Sequence, residues 1–250
     1  MKIDVLILAG ARIDGALSEY SSAKHEALIK INNKPMVEYV IKAVINARLT
    51  DRAAIVGPEK EIKNSIDYKL DLIIDSGDSL IENIQRGIHK LNPQKNVMLI
   101  SSDIPLITSE VIDEFIVLCE EKEADIYYPI ISRENSDARF PGMKRTYVKL
   151  TEGSFTGGNM VIINPDVLSE TLTWIKKAVL WRKKPLKLSK LLGVKILFKL
   201  LIGNLTLTEI EQRVAKLTGY KGRGMITEHP EVGFDVDKPS DLKLMRKEFI

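Results

Sequence analysis

The fold class is indicated most clearly by residues 5–10, Val5–Leu6–Ile7–Leu8–Ala9–Gly10. The five apolar residues of this stretch stop at a glycine, which is typical of a strand that is buried on both faces of a sheet. Further apolar runs cover 53–56, 70–74 and 97–101, and helical patterns begin near Pro35, Ser79 and Ser109. This alternation of strand and helix predicts a three-layer α/β/α sandwich with a mostly parallel central sheet.

The second half of the chain has a different pattern. Two strands are predicted around a turn at Gly153, followed by a mostly helical stretch over 166–217. A last strand at 225–228 and a closing helix from Pro239 complete the prediction. We therefore expect a single domain over 1–250 with a helical insertion at 171–218.

Composition excludes several classes of protein. Of the 250 residues, 44% are hydrophobic, which is enough for a well-formed core, and the one cysteine, Cys119, excludes an intrachain disulfide or a cysteine-based zinc site. The first apolar run is too short for a signal peptide, and no segment reaches the roughly 18 apolar residues of a membrane span. These features predict a cytoplasmic protein.

The charge is unevenly distributed. The net charge is +3, but residues 171–200 hold nine basic residues and no acidic one, while the other 28 basic residues face 34 acidic ones. The chain outside this segment is therefore acidic, which argues against a nucleic-acid partner.

Ligands of parallel α/β sheets lie beyond the carboxyl ends of the strands. Leu8, Ala9, Gly10 and Ala11 stand at the end of the first apolar run, where a glycine lets a phosphate approach the backbone. The long polar loop from Arg12 to Lys24 follows. An ordinary surface loop with a turn at Gly15 is the alternative. The dinucleotide fingerprint G-x-G-x-x-G is absent.

Three aspartates are candidate metal ligands. Asp103 directly follows the run 97–101, and alternation places Asp235 and Asp237 on the same side of an extended segment. Carboxylates suit Mg²⁺, which takes few protein ligands together with substrate phosphate oxygens. The alternatives are a turn cap before Pro105 and a helix start at Pro239.

Two further clusters are candidate contacts for nucleotide and substrate. Gly77, Ser79 and Asn83 stand at the start of a helix, where they could contact a base or ribose, although Ser79 also suits an N-cap. The candidate substrate residues are Arg139, Lys144, Arg145, Gly157, Gly158 and Asn159. A solvated basic loop and a tight turn are the alternatives for this second cluster.

Several short motifs occur in a characteristic order. They are Leu8–Ala9–Gly10, Asn33–Lys–Pro–Met–Val–Glu–Tyr39, Gly77-x-Ser79 with Asn83, Ser102–Asp–Ile–Pro105, Phe155–Thr–Gly–Gly–Asn159 and Asp235–Val–Asp–Lys–Pro–Ser–Asp–Leu242. In this order the chain resembles, over nearly its whole length, the MobA-like nucleotidyltransferases. These form a branch of the nucleotide-diphospho-sugar (GT-A-like) superfamily that includes molybdenum-cofactor guanylyltransferase.

The resemblance implies an Mg²⁺-dependent enzyme. It would transfer a nucleotidyl group from an NTP to a phosphorylated or acidic small-molecule acceptor and release pyrophosphate. The loop after Gly10, with Arg12 or Lys24, would cradle the triphosphate, and Asp103 and Asp237 would hold the metal. The family pattern has a second glycine where this chain has Ala11, and a lysine where it has Glu26. A degenerate module that binds nucleotide for regulation is therefore the alternative.

The basic segment 171–204 is amphipathic. On a helical wheel Lys184, Lys187, Lys190, Lys195 and Lys199 share one half, and Leu192, Ile196 and Leu200 lie opposite. This pattern is consistent with peripheral contact to an anionic membrane or with a lipid-like acceptor. A helical lid or a homodimer contact is the alternative.

Overall fold

The computed structural model describes residues 2–13, 15–168 and 193–249. The chain divides into two compact units, Met1–Val117 with Phe234–Ile250, and Leu118–Gly233. Most of the predicted basic segment, residues 171–192, lies outside the described residues. The single domain over 1–250 and its insertion at 171–218 stay predictions.

The first unit is built on parallel strands. Its strands are β1 (Ile3–Leu8), β2 (Lys30–Ile31), β3 (Lys34–Pro35), β4 (Thr50–Gly57), β5 (Leu72–Asp75) and β6 (Val97–Ser101). The helices that begin before residue 118 are α1 (Met36–Asn46), α2 (Glu59–Ser65), α3 (Leu80–Leu91) and α4 (Ser109–Glu120), the last of which ends three residues beyond the boundary at Val117. The parallel strands run in the order β5-β4-β1-β6, which brings the ends of β1 and β6 side by side.

Strand β1 is covered on both faces. Leu6 packs on Gly87 of α3, where an added Cβ would lie 2.3 Å from the Leu6 side chain. Val5 and Ile7 point to the opposite face, and both are fully buried. A strand buried on both faces is the arrangement that the continuous apolar run predicted.

The second unit has a mixed sheet. Its strands are β7 (Ile126–Ser132), β8 (Val148–Leu150), β9 (Gly153–Gly157), β10 (Met160–Ile163) and β11 (Gly222–Thr227), and its helices are α5 (Arg133–Arg139), α6 (Val194–Leu201) and α7 (Leu207–Thr218). Strand β11 pairs with β7 in parallel, while β10 and β9 pair antiparallel with the two ends of β7. The closing helix α8 (Pro239–Glu248) belongs to the first unit.

Helices α6 and α7 lie beside a small separate core. It is formed by Leu150, Phe155, Ile196 and Leu205, with Leu200 packed against it. The N-terminus of α7 is closed by a capping box between Thr206 and Glu209, so this helix begins where its sequence dictates. None of the described helices is both long and apolar enough to cross a membrane.

Within its described residues, the stretch 166–217 that the sequence predicts to be mostly helical holds α6 and α7, with a non-helical link between Leu201 and Leu207. The structure differs from the sequence prediction in two places. The region around Gly153 holds three strands rather than two. The seven-residue helices α2 and α5 were not predicted, because they bury one residue and none, respectively, and so carry no apolar periodicity.

Asp113 of α4 stabilises the turn between α1 and β4. Its buried carboxylate accepts hydrogen bonds from the backbone N–H groups of Arg48 and Leu49, at 3.1 and 2.8 Å, and one from the Arg48 guanidinium. Burial raises the pKa of Asp113, but these hydrogen bonds outweigh it and hold the pKa below its ordinary value.

We expect Asp113→Ala to lower the free energy of unfolding by roughly 1.5–3 kcal/mol at neutral pH, because two backbone donors lose a charged acceptor. A carboxyl whose pKa is depressed by folding stabilises fully above its unfolded value, and this stabilisation is lost as the pH falls through the folded value. The difference between wild type and variant, measured by urea unfolding, should therefore shrink below about pH 4. A difference that is independent of pH would contradict a charged role for Asp113.

Candidate active site

Three carboxylates converge beyond the end of β6. Ligand oxygens of Asp103, Asp235 and Asp237 all lie within 4.8 Å of one another. Asp235 is buried, Asp103 is partly buried and Asp237 is exposed, so the cluster opens to solvent on one side. All three belong to the first unit. The structure thus brings together the three aspartates that the sequence singled out as metal ligands.

Backbone contacts hold the two halves of this acidic cluster together. The N–H of Val236 donates to the carbonyl oxygen of Asp103 at 3.0 Å, so the segment before α8 lies along the loop that follows β6. The Ser101 hydroxyl donates to the Asp103 carboxylate at 2.5 Å. Asp241, inside the first turn of α8, accepts from the N–H of Asp237 at 3.3 Å. Hydrogen bonds from residues next to the aspartates therefore fix the position of the acidic cluster.

The loop after β1 folds back on itself as a short antiparallel ribbon. The backbone N–H of Ile13 donates to the carbonyl of Lys24 at 3.0 Å, and the backbone N–H of Glu26 donates to the carbonyl of Ala11 at 3.1 Å. Between these two hydrogen bonds, Arg12 and His25 lie opposite each other in an antiparallel β-bridge. Because side chains alternate across a ribbon, Arg12 and Lys24 leave it on opposite faces. The two cations that the sequence offered as equivalent phosphate ligands are thus not interchangeable.

His25 is a candidate site residue that sequence reasoning passed over. Its Nδ1 atom is buried without a hydrogen-bond partner. Burial lowers the pKa of His25, with Glu61 and Asp75 opposing and Arg12 and Lys24 reinforcing that shift. The ring is therefore neutral at neutral pH. A lone histidine without metal-ligand spacing carries no sequence signal, and only its position opposite Arg12 draws attention to it.

Asn83 ties together the predicted nucleotide loops. Its Oδ1 accepts from the N–H of Gly77 at 2.7 Å, and its Nδ2 lies 2.3 Å from where a Cβ on Gly10 would stand. The Ser79 hydroxyl accepts from the N–H of Glu82 as the N-cap of α3. Asn83 is buried, so its contacts with Gly10 and Gly77 hold the two loops in place from their protein side.

The candidate substrate residues all lie in the second unit. Arg139 pairs with Glu231 at 3.1 Å, Lys144 is exposed, and Arg145 is partly buried. Gly157 and Gly158 link β9 to β10 in close contact with neighbouring side chains, since an added Cβ would lie 2.2 Å from the Tyr128 hydroxyl and 2.6 Å from Val232. The N–H of Asn159 donates to the carbonyl of Val232 at 2.9 Å. Close packing therefore accounts for the paired glycines.

A parallel α/β unit with a glycine-containing loop after β1 and an acidic cluster after β6 matches the class of nucleotidyltransferases. A family model of the MobA-like NTP transferase domain matches residues 5–190. The chain belongs to this family, so the predicted enzyme class is confirmed.

Solved and curated proteins agree with this assignment. A hypothetical transferase from Thermus thermophilus is 34% identical to this chain and superposes with a TM-score of 0.83. The match covers 97% of this chain and 100% of the Thermus chain. A CMP:2-keto-3-deoxy-manno-octonic acid synthetase solved with CTP shares the fold alone, at 13% identity and a TM-score of 0.62 over 100% of this chain and 98% of its own. The predicted fold class, with a mostly parallel sheet flanked by helices, is confirmed.

Among curated proteins, a 2-C-methyl-D-erythritol 4-phosphate cytidylyltransferase from Clostridium botulinum is 23% identical over 126 residues. That match spans 48% of this chain and 54% of the relative, so this chain aligns with about half the length of the cytidylyltransferase.

Proposed function

We propose that the protein transfers a nucleotidyl group from an NTP to a phosphorylated or acidic small-molecule acceptor and releases pyrophosphate, with Mg²⁺ as cofactor. The observation that carries this proposal is the convergence of Asp103, Asp235 and Asp237 within 4.8 Å in a member of an NTP transferase family.

The donor set suits Mg²⁺. All three groups are carboxylates, which hard divalent cations prefer, and no thiol or imidazole from the described part of the chain belongs to the cluster. Asp103 and Asp237 would hold the ion, with Asp235 beside them. When bound, Mg²⁺ supplies a positive charge that neutralises phosphate oxygens as charge develops on them.

The chain's own residues would orient the two substrates. The backbone at Gly10 and Ala11 would face the triphosphate, and Arg12 or Lys24 would add positive charge from one face of the ribbon. An oxygen of the acceptor attacks the α-phosphorus, the bond from that phosphorus to the α–β bridging oxygen breaks, and pyrophosphate leaves with the bonding pair. Most of the rate gain would come from holding the acceptor oxygen in line with the leaving group.

The relatives narrow the range of acceptors to test. The curated relative is named for a sugar-alcohol phosphate, and the synthetase bound to CTP is named for an acidic sugar. Both names support an anionic, sugar-like acceptor for this chain, and they make CTP the first nucleotide to try.

We expect one of ATP, GTP, CTP and UTP, with Mg²⁺, to raise the melting temperature at millimolar concentration by several degrees. A nucleotide at 100 times its dissociation constant stabilises the folded state by about 2.7 kcal/mol. Pyrophosphate release with that nucleotide and a panel of sugar phosphates and sugar acids then tests transfer. Stabilisation without turnover over the whole panel would favour the regulatory alternative, which Ala11 and Glu26 support. The absence of any nucleotide effect would contradict both.

A further inference from the structure

Helix α6 exposes an apolar face. Val194, Phe198, Leu201 and the following Ile202 are 82%, 63%, 67% and 56% exposed, and they are four of the nine large hydrophobic residues exposed among the described residues. Scattered apolar residues on a surface are ordinary, but four within nine positions of one short helix are a patch.

This apolar patch is not an unformed part of the core. Ile196 is buried in the small core of the second unit and Leu200 packs against it, so the inner face of α6 is already satisfied. At the helix end Lys199 forms an ion pair with Glu209 of α7. These contacts set the rotation of α6 and turn the patch outward.

The rim of the patch is basic. Lys195 is exposed on α6, and the exposed Lys149 reaches the turn after the helix, where its Nζ lies 3.9 Å from the position of a Cβ on Gly203. Arg213 of α7 lies beside Gly193 at the helix start, 3.2 Å from the position of a Cβ there. By sequence, the chain leading into α6 over 171–192 contains seven Lys or Arg, two Trp and no Asp or Glu.

We propose that the outer face of α6, formed by Val194, Phe198, Leu201 and Ile202 and flanked by Lys195, docks on an anionic lipid surface. An apolar helix face with a basic rim enters the headgroup boundary of a bilayer, and nearby cations are attracted to acidic lipids. A second copy of the chain is the less suitable occupant, since stable protein interfaces use about 20–30 residues a side and this patch offers four.

The test is flotation of the full chain with vesicles of phosphatidylcholine alone or with added phosphatidylglycerol. We expect binding to the anionic vesicles that falls at least tenfold without phosphatidylglycerol and also weakens with salt. The variant Phe198→Glu/Leu201→Glu should lower the affinity at least tenfold, and Lys195→Glu should lower it by a smaller factor. Val117→Glu is the matched control, because Val117 is a 51% exposed apolar residue on another helix, and it should bind as wild type.

Three outcomes would overturn the proposal. They are no binding to anionic vesicles, binding that ignores lipid charge and salt, and equal loss of binding in the control. If light scattering shows a dimer that Phe198→Glu/Leu201→Glu dissociates, without vesicle binding by the wild type, the patch is instead a self-interface. Each variant's melting temperature should stay near that of the wild type, because the substituted side chains point away from the core. The assay contains no nucleotide, so its result is independent of the proposed transferase activity.

Discussion

Asp103→Asn is expected to lower Mg²⁺-dependent pyrophosphate release by about a thousandfold, which corresponds to roughly 4 kcal/mol of transition-state stabilisation. The substitution removes the charge of the carboxylate nearest to β6, but it retains an oxygen that can accept the hydrogen bond from Ser101. The loss should therefore reflect charge rather than a change of shape. Initial rates at saturating NTP over a Mg²⁺ titration measure it.

The same variant should not unfold the protein. Three carboxylates within 4.8 Å repel one another in the absence of a cation, so removal of one charge should leave the melting temperature without Mg²⁺ unchanged or higher. Stabilisation by Mg²⁺ should decrease in parallel with activity. Asp67→Asn is the control, because Asp67 is an exposed aspartate outside the cluster, and it should retain both. Wild-type activity in Asp103→Asn would exclude the acidic cluster as the metal site.

Gly10→Ala is expected to destabilise the protein by about 1–3 kcal/mol and to weaken nucleotide binding. The new Cβ would lie 2.3 Å from Nδ2 of Asn83 and 3.0 Å from Cβ of Ser76, so the Asn83 side chain has to move. That movement would break the hydrogen bond from the Gly77 N–H and loosen both loops at once. Urea unfolding and thermal shift with NTP measure the two effects.

A double-mutant cycle isolates this contact. Asn83→Ala alone should destabilise, since the partly buried N–H of Gly77 loses its acceptor, but in the Gly10→Ala background it should cost less because it also removes the clash. Gly222→Ala is the matched control, where the nearest atom to an added Cβ, on Val214, is at an ordinary 3.5 Å. Additive effects of Gly10→Ala and Asn83→Ala would show that the two residues do not contact each other.

The first half of the fold could be predicted because each of its main strands is a continuous apolar run that is recognisable from the local sequence. The run Val5–Ala9 has apolar side chains for both faces of a strand, and such a strand is stable where both faces are covered. Its composition therefore indicates a parallel sheet with helices on both sides. The second unit was predicted less well. The pairing of β9 and β10 with β7 depends on the glycine link at Gly157 and Gly158, whose role is to admit Tyr128 and Val232. Those partners are remote in sequence from the glycines.

Some features of the candidate site could likewise be inferred from the sequence, and others could not. The family, the parallel α/β class and the three aspartates could be inferred from local motifs, because ligands of a parallel sheet bind beyond the carboxyl ends of its strands and Asp103 directly follows such an end. Three relations are visible in the tertiary structure alone: Arg12 and Lys24 leave their ribbon on opposite faces, His25 lies opposite Arg12 with its Nδ1 atom buried, and Asn83 fills the space beside Gly10. These relations depend on which residues lie across from one another in space, and a linear pattern records only their spacing along the chain.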